Sequence, residues 1–189
     1  MRLPIINVGY IELSGKVIVS DPFHDRNVWC MAKDVAVKPG KYVVYTAMKD
    51  EKEFDMRVAF LMAVHADYAK SLNSGWEPYE CCVGIDSGQC GIFDDTVFPS
   101  DEASRSGYRN AKLFIDECSK LTLGKNQSGI LKSRKGVVSV SGYGDDSYEL
   151  LCQYHDGERV ALMIDYTLEK NSAIIRELMN SQCDEQQAV

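Results

Sequence analysis

Three aspartates and three glycines are threaded through strand-forming residues in Gly84-Ile85-Asp86-Ser87-Gly88-Gln89-Cys90-Gly91-Ile92-Phe93-Asp94-Asp95. A glycine inside a strand gives up side-chain burial and conformational entropy, so it points to a bulge, a tight turn or a close backbone approach. Carboxylates beside such a turn face either solvent or a ligand. A second stretch, Gly142-Tyr143-Gly144-Asp145-Asp146-Ser147-Tyr148, repeats this chemistry at the end of another apolar strand. Calcium and magnesium take oxygen ligands, and Asp21, Asp86, Asp94, Asp95, Asp145 and Asp146 would supply them if these strand ends met in space. The spacing matches no EF-hand loop. The competing role for each aspartate is to accept backbone hydrogen bonds within its own turn.

On this basis the candidate ligand- or partner-contacting residues are Asp86, Ser87, Gln89, Asp94, Asp95, Tyr143, Asp145 and Tyr148. Asp86, Asp94 and Asp145 form the weaker metal set, a divalent cation is the one cofactor these residues admit, and no residue is assigned a catalytic role. A nucleophilic arrangement would need Cys90 activated by His24, His65 or His155, since a thiol requires a base or a positive environment to ionise near neutral pH. His24 and His155 are expected to be exposed, in a loop and a hairpin turn. Gly142-Tyr143-Gly144 is not a phosphate-binding G-x-G-x-x-G.

The elements that must position these residues are mostly strands. Residues 15–20 form a strand that stops at Asp21-Pro22, where proline removes a ladder donor and restricts its predecessor. Pro39-Gly40 makes a turn into a β-branched and aromatic run, and residues 49–53 a hairpin loop leading to a strand from Met56. The glycine-aspartate stretch is expected as two strands, residues 79–86 and 91–94, bent at Ser87-Gly88-Gln89. In residues 108–121, Ala111, Phe114, Ile115, Cys118 and Leu121 recur at helical spacing, with Ser104 or Ser106 as the cap. A basic connector with Lys125, Lys132, Arg134 and Lys135 follows. Residues 136–166 are expected as a three-strand meander, with Asp156-Gly157 as its hairpin signal. A helix over 168–179, with Ile174, Ile175 and Leu178 on one face, completes a single domain over 1–181, and 182–189 frays.

Composition narrows the classes. A chain of 189 residues with 45% hydrophobic content closes a core of its own. The longest apolar run has seven residues, far short of the roughly 20 that cross a bilayer. A net charge of −7 disfavours general nucleic-acid binding and suits a basic protein partner. Seven cysteines cannot all pair within one chain, and no C-x-x-C occurs, so free and mostly buried thiols are expected. With no secretory leader at the start, the expectation is a cytoplasmic protein outside the membrane.

In order along the chain, the strand ending in Asp21-Pro22, Pro39-Gly40-Lys41-Tyr42-Val43-Val44, residues 84–95, residues 136–148 and the hairpin over 156–166 resemble the bacterial and phage family catalogued as domain of unknown function 4241. The resemblance spans roughly residues 10 to 167 and departs at Asp146, where the family's turn has glycine. It implies a strand-rich fold and no particular activity.

The fold expected is α+β and mainly antiparallel β, a β-sandwich or strongly bent sheet with one middle helix and one C-terminal helix. The function expected is a non-enzymatic protein-binding factor, an antagonist or immunity-type inhibitor of a partner protein. The alternative is a metal-assisted hydrolase or small-ligand-binding protein using aspartates at strand ends.

Overall fold

The computed structural model describes residues 4–51, 55–72, 75–99 and 109–167. Over these the chain is α+β and mainly antiparallel, with strands β1 (Ile5–Leu13), β2 (Lys16–Ser20), β3 (Ala32–Ala36), β4 (Gly40–Glu51), β5 (Asp55–His65), β6 (Glu77–Pro78), β7 (Val83–Ile85), β8 (Gln89–Asp94), β9 (Ser128–Ile130), β10 (Gly136–Val140), β11 (Asp146–His155) and β12 (Glu158–Asp165). Helix α1 (Arg109–Thr122) lies between β8 and β9. The expected helix over 168–179, the frayed tail and the Ser104 or Ser106 cap lie outside the described residues.

Two sheets build the molecule. The larger runs β1-β4-β5-β12-β11-β6, with β7 also on β11, and the smaller runs β3-β2-β8-β10-β9. Alternation along each strand decides what lies between them. Ile11, Val44, Leu61, Leu150, Leu162 and Ile164 of the larger sheet meet Val17, Val19, Cys90, Ile92 and Val137 of the smaller in one buried cluster. The residues between these in sequence face the other way. Ile18, Phe93 and Val138 pack under Phe114 and Cys118 of α1, so the helix covers the outer face of the smaller sheet. The Phe93, Phe98 and Phe114 rings meet there at 5.0 to 5.6 Å, within the favourable range for aromatic pairs. Phe60, Met62, Val64 and Met163 pack on the opposite outer face, with Leu72 and Trp76 against them.

Gly91 is fixed by this packing. A methyl group on it would lie 2.1 Å from the Phe93 ring and 2.5 Å from the Val137 carbonyl oxygen, so the ring occupies the space a side chain would need. Five features differ from the sequence expectations. β10 joins β8 and β9 in the smaller sheet, so residues 136–166 are not a meander, and only β11 and β12 form a hairpin, turned at Asp156-Gly157 with φ of 50° and 79°. The expected strand over 79–86 is reduced to β7, with the two-residue β6 just before it, because residues 80 and 81 bend. β1 is a full strand whose alternation is broken by a bulge between Asn7 and Gly9, and β3 is added on the edge of β2. The basic connector contains β9.

Candidate functional site

The chain passes from one sheet to the other twice at the same corner. The Asp86-Ser87-Gly88 turn leads from β7, on the larger sheet, to β8, on the smaller; residues 141–145 lead back from β10 to β11. The two turns lie side by side. Asp146, Ser147 and Tyr148 pair with Ile85, Gly84 and Val83, and the Ser141 amide donates to the Gly88 carbonyl at 3.0 Å. The two glycine-aspartate stretches therefore converge. Gly142 permits the second crossing: its φ is +62°, and a side chain there would meet the Val58 carbonyl at 2.4 Å.

The first turn is built on Asp21, the fully buried residue at which β2 stops. One carboxylate oxygen accepts the Phe23 amide (2.8 Å) and the Ser87 hydroxyl (2.7 Å); the other accepts the Asp86 (2.9 Å) and Ser87 (2.7 Å) amides. Four protein donors use the coordination that a cation would need, so Asp21 and Ser87 are structural here. The second turn is locked by Tyr148, whose buried hydroxyl donates to the Gly144 carbonyl at 2.9 Å and whose ring meets Tyr166 edge-on. Burial, followed by the nearby Asp146 carboxylate, pushes the Tyr148 phenol up to about 12.

Asp94 and Asp95 lie at the far end of β8, roughly 17 Å from the corner for a strand of this length. Asp94 is fully buried and accepts the Ser14 amide (2.5 Å) and the Thr96 amide (3.1 Å) and hydroxyl. Burial acts to raise its pKa, but the Thr96 hydroxyl and the Ser14 amide outweigh it and hold the carboxyl below its ordinary value. Asp95 is clamped by Arg26, which donates to its carboxylate (2.6 Å) and its carbonyl (2.7 Å), and to the carbonyls of Phe98 (2.9 Å) and Pro99 (3.0 Å). The proposed metal set is thus divided, with Asp86 and Asp145 at one end and Asp94 at the other. Among the described residues no group of three or more His, Cys, Asp or Glu side chains is placed to hold a metal ion.

At the corner Asp86 points outward, with its side chain 81% exposed, and Asp145 and Asp146 are exposed beside it. His24 is not exposed as expected: its side chain is 8% accessible, with its Nε2 2.8 Å from Asp86 and its Nδ1 buried. His155 is exposed, next to Asp156. His65 is a buried histidine paired with the Pro39 carbonyl and the Asp67 amide. Cys90 is buried, and burial pushes its thiol well up, the opposite of the shift that activates a thiol. Cys118 and Cys152 are also buried, whereas Cys30 and Cys81 are half-buried and Cys82 is exposed. Gln89 accepts from the Thr122 hydroxyl at 3.2 Å, and Tyr143 lies beneath the Arg57 guanidinium.

Sequence reasoning missed the loop between β2 and β3. Its root is tied by Asp21 and its crown by Arg26, and the Asp25 carboxylate caps a turn at the Asn27 amide (2.8 Å). This fastened loop displays Trp29 at 92% exposure and Phe23 at 48%. Two aromatic residues in a polar stretch were the available signal. A groove of about 540 Å³ is lined by Asp55, Arg57, Thr122, Leu123, Lys125 and Gly142 among others, and by none of the candidate aspartates.

No family model, curated protein or solved structure matches the chain. No helix among the described residues is long and apolar enough to cross a membrane.

Proposed function

We propose that this protein is a non-enzymatic protein-binding module of the antagonist or immunity type, acting on a partner protein. One observation carries the reading: where the two glycine-aspartate turns converge, Asp21 and the Ser141–Gly88 bond hold them together, and the carboxylates of Asp86, bonded to His24, Asp146, bonded to the Ser147 amide, and Asp145 lie on the exposed surface rather than around a cavity. A corner of this kind suits recognition of another surface better than bond-making chemistry. Free thiols at all six described cysteines support a reducing, cytoplasmic setting. The ordered motifs named above support kinship with the 4241 family.

Affinity capture with the tagged full chain from its own host, followed by mass spectrometry and light scattering, tests the reading. A partner recovered at fixed stoichiometry is expected, and the absence of any such partner contradicts it. The small-ligand alternative has one observation in its favour, the groove between Arg57 and Lys125. Thermal-shift screening with Ca²⁺, Mg²⁺, Mn²⁺, Zn²⁺ and small carboxylates checks it, and stabilisation by any of them would favour that alternative.

A further inference from the structure

We infer that the partner docks on one continuous surface formed by Phe23, Asp25, Trp29, Asp86, Asp145 and Asp146, and that the partner presents an apolar pocket rimmed by lysine and arginine. This rests on the protein-binding reading and gives it an address.

Continuity follows from the hydrogen bonds. The Gly84 amide donates to the Cys30 carbonyl at 2.8 Å on one side of β7, and Gly84 pairs with Ser147 on the other. Trp29 and Asp146 therefore flank β7, with their neighbours Cys30 and Ser147 roughly 10 Å apart at sheet spacing. On the same corner His24 joins the loop directly to Asp86. The result is an aromatic centre with four exposed carboxylates around it and one exposed cation where the loop enters β3, Lys33, which donates to the Arg26 carbonyl at 3.2 Å.

Trp29 is the anchor. A tryptophan left 92% exposed holds a large apolar surface in water, and tryptophan is the residue most enriched among side chains that dominate interface energies. Its loop is not loose. Asp21 fastens the root, Arg26 makes four hydrogen bonds to residues 95–99, and the Val28 amide closes onto the Asp25 carbonyl. A loop ordered before contact loses little freedom on binding, which is the condition under which a single exposed aromatic becomes an effective anchor. Leu113, exposed at 62%, sits on helix α1 rather than on a braced loop.

The rim sets the partner's chemistry. Asp25, Asp86, Asp145 and Asp146 are all exposed, and the chain as a whole carries a net charge of −7. Complementarity requires lysine or arginine opposite them, and such pairs govern association rate and salt sensitivity more than final affinity.

The test uses the captured partner and the full-length chain. Trp29→Ala is expected to weaken binding about 30-fold, mainly through faster dissociation, and the triple change Asp86→Asn, Asp145→Asn and Asp146→Asn to slow association about tenfold at low salt. Leu113→Ala is expected to bind as the unaltered chain does. In a Trp76→Phe background, Trp29 emission should shift to the blue as partner is added. If a stoichiometric partner binds but Trp29→Ala and the triple variant bind it unchanged, or if its contacting face is acidic, the surface assignment is overturned while the protein-binding reading stands. If no partner binds the unaltered chain, that reading itself fails. Matching thermal midpoints for the variants and the parent exclude unfolding as the cause.

Discussion

At the far end of β8, Asp94 and Asp95 are turned into the structure, one on the amides of Ser14 and Thr96 and the other on Arg26. At the near end Asp86, held by His24, and Asp145 and Asp146 on the adjoining turn remain exposed, while Asp21 beneath holds the turn together. The same residue type, at similar spacing from glycine, serves construction at one end and display at the other. What separates them is the supply of donors: wherever backbone amides and an arginine converge on a carboxylate, it is used up by the fold.

This contrast can be broken or sharpened by substitution. The largest effect is expected at Asp21, where Asp21→Ala strips the acceptor from three amides and a hydroxyl and should cost about 4 kcal/mol in urea unfolding. Next comes Gly91→Ala, expected to cost about 3 kcal/mol because the Phe93 ring and the Val137 carbonyl leave no room for a methyl group.

Asp94→Asn should cost about 2 kcal/mol near neutral pH. Because the folded chain holds the Asp94 carboxyl below its ordinary value of 3.8, its contribution is fully present above that value and is lost as pH falls through the lowered folded one. Urea midpoints measured from about pH 6 to about pH 2 should therefore converge for parent and variant in acid. A constant gap across that range would show that the carboxylate's charge is not what matters. The smallest effect is expected at the exposed corner, where Asp145→Asn should change stability by less than about 0.5 kcal/mol.

Much of the fold was legible in the sequence. Proline after Asp21 ends β2, Asp156-Gly157 turns the last hairpin, and the spacing of Phe114 and Cys118 marks the helix face. Sheet membership was not legible, because a period-two pattern says which side of a strand is buried and not which sheet it joins. β10 and β11 read as consecutive strands of one meander for that reason, although the unusual turn at Gly142 is where the chain changes sheets. The converging turns were visible as matching chemistry. Their separation from Asp94 and Asp95 was not, since strand direction sets it. Trp29 and His24 were obscured for the opposite reason: residue type favours a buried tryptophan and an exposed loop histidine, and the braced loop reverses both.

Hydrogen exchange of the full chain, alone and with its partner, tests most directly whether display and construction are divided between the two ends of β8. The account predicts new protection over residues 23–30, 84–88 and 142–147, with residues 94–99 unchanged. Protection appearing at residues 94–99 while the Trp29 loop exchanges as before would contradict it.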